Sequence, residues 1–145
     1  MAEAIERGAT LHAGARRAPQ HGSALFCQTT ILDRVTESME IAREETFGPV
    51  VPITAIAGAD EALEIVETSP YRLLTAVFTR DLGRGLQVAE SARAGWVNIN
   101  EGTNYWESHL PFGGRAGSQS GLGRVGGRYS IERLTELKTI VVNLA

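Results

Sequence analysis

Residues 44–51 read Glu-Glu-Thr-Phe-Gly-Pro-Val-Val, and the rest of the chain is organised around this stretch. Two acids and an aromatic residue precede Gly48-Pro49, and the apolar run that follows predicts a buried strand over residues 50–55. Because Gly48 permits unusual backbone angles and Pro49 fixes its own, we expect a sharp turn onto that strand. Such a loop can hold a carboxylate and a ring in one place. For two adjacent acids taken alone, a solvated acidic turn is the simpler interpretation.

The composition is that of one globular domain. The chain has 145 residues, of which 43% are hydrophobic, and a formal net charge of −3, which is enough apolar material for a core. A mildly acidic chain offers no attractive field for phosphates, so we predict no nucleic-acid partner. No apolar run approaches membrane-spanning length, and residues 1–7 lack the apolar core of a signal peptide. We therefore predict a cytoplasmic protein that contacts no membrane.

Strand and helix patterns alternate along the chain. Before residues 44–51, a helix over 2–8 is followed by strands over 10–13 and 26–32 and a polar link over 33–39. After them, predicted strands alternate with two helices, each capped by an aspartate: strands over 50–55, 73–79 and 96–100, and caps at Asp60 and Asp81. This alternation predicts right-handed crossovers, and therefore an α/β fold with a largely parallel sheet and flanking helices.

The last part of the chain has a different character. Residues 111–127 are dense in glycine and predict a loop whose backbone approaches a neighbour closely. Within it, residues 121–126 match the dinucleotide fingerprint G-x-G-x-x-G, but no strand precedes them and the acid needed about twenty residues later is missing, so we interpret them as a tight loop. A short helix over 129–134 and an apolar final strand over 139–144 follow. Pairing of that strand with another subunit's sheet is one way to cover it.

No self-sufficient catalytic set is visible. The three histidines have no partners at metal-ligand spacing, so we predict no metal site. The one cysteine, Cys27, excludes an internal disulfide and fits a reducing compartment. It lies in a predicted strand with no helix N-terminus behind it, so we expect a buried structural cysteine rather than a nucleophile. Adjacent side chains point apart, so at most one of Glu44 and Glu45 enters a site.

Six motifs occur in a fixed order along the chain, and together they carry a resemblance. They are E-E-T-F-G-P-V at 44–50, L-T-A-V-F-T at 74–79, G-W-V-N-I-N at 95–100, P-F-G-G at 111–114, S-G-L-G-R at 120–124 and T-E-L-K-T-I at 135–140. The ordered set resembles the C-terminal third of the NAD(P)-dependent aldehyde dehydrogenase superfamily and covers essentially the whole chain. The lysine usual after P-F-G-G is missing, and Arg115 to Gln119 make that loop about two residues longer than the family pattern.

The resemblance implies roles for five residues. In the family, the second acid of the E-E-x-F-G-P motif binds the nicotinamide ribose hydroxyls of NAD or NADP, and the motif's aromatic residue packs beside the nicotinamide. These roles fall on Glu45 and Phe47. A carboxylate suits this role because it can accept from two neighbouring hydroxyls at once. The P-F-G-G phenylalanine, here Phe112, lines the substrate tunnel, and the loop with Tyr105 and Trp106 shapes the tunnel mouth, where either ring can face the substrate.

The resemblance also implies a division of the chain. Residues 1–135 would be the C-terminal part of the catalytic domain, and residues 136–145 an oligomerisation strand that joins a partner's sheet in a homodimer or homotetramer. The side chains of that strand are Thr139, Ile140, Val141, Val142, Asn143 and Leu144.

Family enzymes oxidise aldehydes to carboxylic acids with a cysteine nucleophile and a glutamate general base. Both belong to motifs upstream of this chain, as does the Rossmann cofactor domain, so the resemblance implies no catalytic residue here and an inactive isolated chain. Cys27 matches a variable position of the family. A stand-alone, non-catalytic α/β assembly module with the same fold is the alternative.

Overall fold

The computed structural model describes residues 1–23 and 25–144. The helices are α1 (Ala2–Glu6), α2 (Glu40–Arg43), α3 (Ala59–Thr68), α4 (Leu82–Ser91) and α5 (Arg128–Leu134). The strands are β1 (Thr10–Ala13), β2 (Thr30–Asp33), β3 (Val50–Pro52), β4 (Leu74–Val77) and β5 (Trp96–Ile99). The chain divides into two compact units, residues 1–65 and residues 66–145.

The first unit is built on a mixed sheet in the order β1-β2-β3. Strand β1 runs antiparallel to β2, whereas β2 and β3 are parallel, with Thr30 opposite Val50. Leu32 is fully buried at the centre of β2. It packs in one apolar cluster with side chains from α1, from the link between α1 and β1, and from the connection to α2: Ala4, Ala9, Val35 and Met39.

Two of these core residues come from a segment predicted to be a polar link. Val35 and Met39 are both 2% exposed. The backbone N–H of Val35 donates to the carbonyl of Ile53 at 3.0 Å, so pairing between the two segments continues beyond the end of β2. This pairing holds the Val35 side chain against the core. The prediction of a purely polar connection over residues 33–39 is therefore wrong.

The second unit contains a separate pair of parallel strands. Strand β4 pairs with β5 from Leu74 opposite Trp96 to Val77 opposite Ile99, and α4 lies between them in sequence. The α/β character of the chain is confirmed. The single, largely parallel sheet is not found, because the described strands form a three-stranded mixed sheet and a two-stranded parallel sheet.

The two predicted aspartate caps have different outcomes. Asp81 caps α4 as predicted, since its Oδ1 accepts a hydrogen bond from the backbone N–H of Arg84 at 3.0 Å. Asp60 instead lies within the first turn of α3, which begins at Ala59. There the carboxylate of Glu61 accepts from the backbone N–H of Ala57 at 2.5 Å. The sequence therefore identified the helix but misplaced the acid that holds its N-terminal end.

The prediction that Cys27 is buried in a strand is also wrong. Cys27 is exposed. It forms an isolated antiparallel bridge with Arg17, and β2 begins only at Thr30. The thiol is therefore not part of the core of this unit.

The final apolar segment carries no strand within the described residues. Residues 139–144 are assigned to neither a helix nor a strand, and Ala145 lies outside the described residues. Five apolar side chains at this end are exposed: Leu137, Ile140, Val141, Val142 and Leu144. The boundary at residues 135/136 and the pairing of this segment stay predictions. In the part of the chain that the structure describes, every helix is too short or too polar to cross a membrane.

Candidate functional site

The loop over residues 44–49 is shaped by two successive tight turns. The backbone N–H of Gly48 donates to the carbonyl of Thr46 at 2.9 Å, and that of Val50 donates to the carbonyl of Gly48 at 2.8 Å. Hydrogen bonds between residues two apart define three-residue turns, which are common at the ends of strands. The central residues are Phe47 and Pro49. Gly48 does not adopt a positive φ, so the predicted unusual angle at Gly48 is wrong and the sharp bend comes from these two turns.

The loop is fastened to the sheet of the first unit at its far end. The carbonyl of Pro49 accepts a hydrogen bond from the backbone N–H of Thr30 at 2.8 Å, and the β2/β3 pairing follows directly. Thr30 is itself buried, and its hydroxyl accepts from the N–H of Ala15 at 2.8 Å and donates to the carbonyl of Gln28 at 3.1 Å. The acidic loop is thus anchored on a buried residue whose N–H and hydroxyl are both hydrogen-bonded.

Both cofactor candidates project from this anchored loop into solvent. Phe47 is 95% exposed, and Glu45 is exposed. Within residues 1–23 and 25–144, the Glu45 carboxylate has no hydrogen-bond or salt-bridge partner. A fixed loop that presents an unengaged carboxylate and an uncovered ring suits a ligand with hydroxyl groups and a flat apolar face. The described residues contain no group of three His, Cys, Asp or Glu side chains suited to hold a metal ion.

In the second unit, three rings form a cluster that we call the aromatic triad: Trp96, Trp106 and Phe112. The ring centroids of Trp96 and Phe112 are 6.0 Å apart with planes inclined by 56°, and those of Trp106 and Phe112 are 5.7 Å apart at 43°. Such separations and tilts are favourable for aromatic pairs. The triad joins two predicted tunnel residues, Phe112 and Trp106.

Tyr105 is the tunnel candidate that the triad leaves out. Its hydroxyl donates to Oε1 of Glu107 at 2.6 Å, and its ring has no ring partner among the described residues. The hydrogen bond to the Glu107 carboxylate raises the pKa of the Tyr105 hydroxyl above its usual value. Of the two adjacent rings, Trp106 is therefore the one that packs against Phe112.

Trp96 and Asn98 are site residues that the sequence reasoning missed. They are two apart on β5, so both side chains lie on the same face of the strand. The indole Nε1 of Trp96 donates to Oδ1 of Asn98 at 2.6 Å. Asn98 is only 7% exposed. The signal in the sequence was a polar amide inside an otherwise apolar strand, at the spacing that places it beside a tryptophan.

The backbone around Phe112 is held by the glycine-dense connector. Phe112 and Val125 exchange backbone hydrogen bonds in both directions. The guanidinium Nη1 of Arg124 donates to the carbonyl of Gly95 at 2.8 Å, and it also contacts the carbonyls of Pro111 and Gly113. A Cβ on Gly95 would collide with the carbonyl of Gly113, so the close approach requires glycine. The G-x-G-x-x-G stretch therefore serves local packing, as a tight loop does.

Comparison with known proteins identifies relatives along nearly the whole chain. A sequence model of the aldehyde dehydrogenase family matches residues 1–140. The chain is 40% identical over 140 residues to the 3-sulfolactaldehyde dehydrogenase of Pseudomonas putida. The matched region covers 97% of this chain and 28% of that relative.

Two crystal structures show the same fold. The Mycobacterium tuberculosis aldehyde dehydrogenase complexed with NAD+ aligns with a TM-score of 0.87 and 33% identity, covering 99% of this chain and 29% of that chain. The NADP-dependent glyceraldehyde-3-phosphate dehydrogenase from Bacillus halodurans C-125, complexed with NADP, aligns with a TM-score of 0.85 and 37% identity, with the same coverage of 99% and 29%. The chain thus spans 28% of the length of the curated relative described above.

Proposed function

The chain belongs to the aldehyde dehydrogenase family, and on that premise we propose that it is the C-terminal portion of an enzyme that oxidises an aldehyde to a carboxylic acid with NAD+ or NADP+. The observation that carries this proposal is the match over residues 1–140, which includes the acidic loop and the P-F-G-G segment. The solved relatives with NAD+ and NADP bound support a nicotinamide cofactor.

A bound NAD+ or NADP+ would supply the hydride acceptor for the oxidation. Glu45 would accept hydrogen bonds from the nicotinamide ribose hydroxyls, and Phe47 would pack beside the nicotinamide. The geometry supports both roles, because the Glu45 carboxylate has no competing partner among the described residues and the Phe47 ring is 95% exposed. The two tight turns and the hydrogen bond between Thr30 and Pro49 keep the loop in place. Glu45 thus positions the cofactor and transfers no proton.

In the second unit, Phe112 and Trp106 are proposed to line the substrate tunnel, with Tyr105 at its mouth. The contact between the Phe112 and Trp106 rings supports an apolar wall for the organic part of the aldehyde. Tyr105 is turned toward Glu107 and presents a polar edge.

The nucleophilic cysteine and the general-base glutamate of the reaction are supplied by residues outside this chain. Cys27 is not proposed as the nucleophile, because it is an exposed residue of an isolated bridge with Arg17 and matches a variable position of the family. We therefore propose that the isolated chain does not turn over aldehydes.

Assembly is proposed through residues 139–144, which would pair with the sheet of a second copy in a homodimer or homotetramer. The exposure of Ile140, Val141 and Val142 supports this, because neighbouring exposed apolar side chains are typical of interfaces. The same observation favours the second candidate function, a non-catalytic assembly module.

A chimera separates the two candidates. Residues 1–140 of this chain replace the matching segment of the Pseudomonas putida 3-sulfolactaldehyde dehydrogenase, and NADH or NADPH formation is followed with a panel of aldehydes. We expect the chimera to be active and the chain alone to give no signal above background. A chimera that folds by circular dichroism yet stays inactive would favour the assembly module, and sustained turnover by the chain alone would overturn the division of roles.

A further inference from the structure

We propose that Asn98 is a positioning residue that fixes the Trp106 ring against Phe112 and so sets which aldehydes the site accepts. The part that concerns aldehydes rests on the proposed function. The placement of the ring is a property of this chain and can be measured without any activity.

Asn98 closes a circuit of contacts around the aromatic triad. Its Oδ1 accepts from the indole of Trp96, and its Nδ2 donates to the carbonyl of Gly102 at 2.8 Å and to the carbonyl of Tyr105 at 3.2 Å. The Tyr105 carbonyl belongs to the peptide that leads directly into Trp106. The Trp106 ring contacts Phe112, and Phe112 contacts Trp96, which returns to Asn98.

The amide is the only polar side chain that ties this circuit together in the described part of the chain. Residues 102–106 are otherwise largely exposed, and the described hydrogen bonds from this loop to β5 all come from Asn98. A fixed Tyr105 carbonyl fixes the peptide plane before Trp106, and with it the direction from which the ring approaches Phe112.

The chemistry requires one acceptor and two donors at one buried position. An asparagine side chain provides them, with its carbonyl oxygen as the acceptor and its NH2 group as the two donors. An aspartate of the same shape keeps the acceptor for Trp96 but loses both donors, and its carboxylate would face two carbonyl oxygens. A serine is too short to reach both carbonyls. Asn98→Asp therefore removes the loop contacts and preserves the contact with Trp96.

Tryptophan fluorescence of the whole chain tests this separation, because Trp96 and Trp106 are its two tryptophans. In Asn98→Asp we expect a red shift of the emission and a larger acrylamide quenching constant. In the Trp106→Phe background, where only Trp96 emits, we expect the same substitution to change emission and quenching little. A general loss of structure would change both backgrounds alike.

The matched control is Asn100→Asp, the same change two residues along. The Oδ1 of Asn100 accepts from the backbone N–H of Thr79 at 2.8 Å, and an aspartate at this position can accept the same hydrogen bond. We therefore expect Asn100→Asp to have the same fluorescence as the unsubstituted chain. If Asn98→Asp does not fold by circular dichroism, Asn98→Ser removes the loop contacts without the charge. Because serine also withdraws the acceptor from Trp96, both backgrounds change, and the larger change is expected in the background that contains Trp106. Unchanged quenching in the folded variant, equal changes in both backgrounds, or loss of fold in both variants would overturn the proposal.

The effect on substrate choice is measured in the chimera. Asn98→Asp should narrow the ratio of kcat/KM between benzaldehyde and acetaldehyde, and the KM for the cofactor should match that of Asn100→Asp. An inactive unsubstituted chimera would count against the proposed function and leave the fluorescence result standing. An active Asn98→Asp chimera with an unchanged ratio would contradict the role of Asn98 in selecting aldehydes.

Discussion

Phe112 and Val125 exchange two backbone hydrogen bonds, each 2.8 Å from nitrogen to oxygen. This exchange closes the glycine-dense connector into a loop and fixes the backbone of a predicted substrate-tunnel residue. Arg124, next to Val125, also donates to the carbonyl of Gly95, the residue before β5, and to that of Pro111 in the P-F-G-G segment. The position of the Phe112 ring therefore depends on residues more than ten positions away in sequence.

Replacement of Arg124 by methionine should destabilise the second unit. The substitution keeps much of the apolar stem but leaves the carbonyls of Gly95 and Pro111 without their donor, which costs about 1–3 kcal/mol of unfolding free energy. Arg115→Met is the control, because the Arg115 side chain is exposed, and it should change stability by about 0.5 kcal/mol at most. Denaturant unfolding measures both values. Equal effects of the two substitutions would contradict the role of Arg124.

The two aspartates at helix starts should differ in their contribution to stability. Asp81→Ala removes the cap of α4 and should cost about 1 kcal/mol. Asp60→Ala removes only a charge within the first turn of α3, and the better helix propensity of alanine offsets that loss. Thermal unfolding monitored by circular dichroism compares the two variants. A larger loss for Asp60→Ala would restore the capping role predicted from the sequence.

The Tyr105 hydroxyl should ionise at higher pH than an ordinary tyrosine. Its hydrogen bond to Glu107 raises its pKa, so this bond contributes stability below the pKa of an unfolded tyrosine and loses it as pH rises through the folded pKa. Glu107→Gln should move this titration to lower pH, as followed by phenolate absorbance. Tyr105→Phe identifies which transition belongs to Tyr105. If the titration of Tyr105 is the same with and without the Glu107 carboxylate, the pair does not form in solution.

The exposed segment at residues 139–144 should drive self-association of the chain. Val141 is 87% exposed, and a charge there opposes burial between copies. We expect concentration-dependent association in sedimentation velocity, weakened by Val141→Asp and unaffected by Leu122→Asp, a control at an exposed apolar residue of the connector. A monomer at every concentration would contradict assembly through this segment.

Local signals in the sequence predicted the parts of the structure that depend on neighbouring residues. The cap at Asp81 is one example, because a capping bond is made within a few residues. Strand β1 is another, with the predicted bounds of residues 10–13. The family resemblance assigned Phe112, Tyr105 and Trp106 to a substrate tunnel. That assignment stays a prediction, and the structure brings the rings of Phe112 and Trp106 into contact.

The predictions that were wrong depend on distant pairing. Val35 is buried because its segment pairs with Ile53, and nothing near Val35 in sequence indicates that partner. Cys27 lies in an apolar pattern, but its pairing is a single bridge with Arg17, so the pattern overstated its burial. Asn98 was missed because its hydrogen-bond partners are spread over residues 96–105, and no short sequence motif contains all of them.

We propose that Glu45, and not its neighbour Glu44, binds the cofactor. Both acids are exposed, so substitution of each by glutamine is a matched pair. Loss of hydrogen bonds to a charged group costs about 1.5–3 kcal/mol, which corresponds to about 10- to 100-fold in kcat/KM for the cofactor. The measurement is steady-state kinetics of the chimera with cofactor varied. We predict a fall of about 10- to 100-fold in kcat/KM for the cofactor with Glu45→Gln, and values close to those of the unsubstituted chimera with Glu44→Gln. Equal effects of the two substitutions, or no effect at Glu45, would contradict cofactor binding by Glu45.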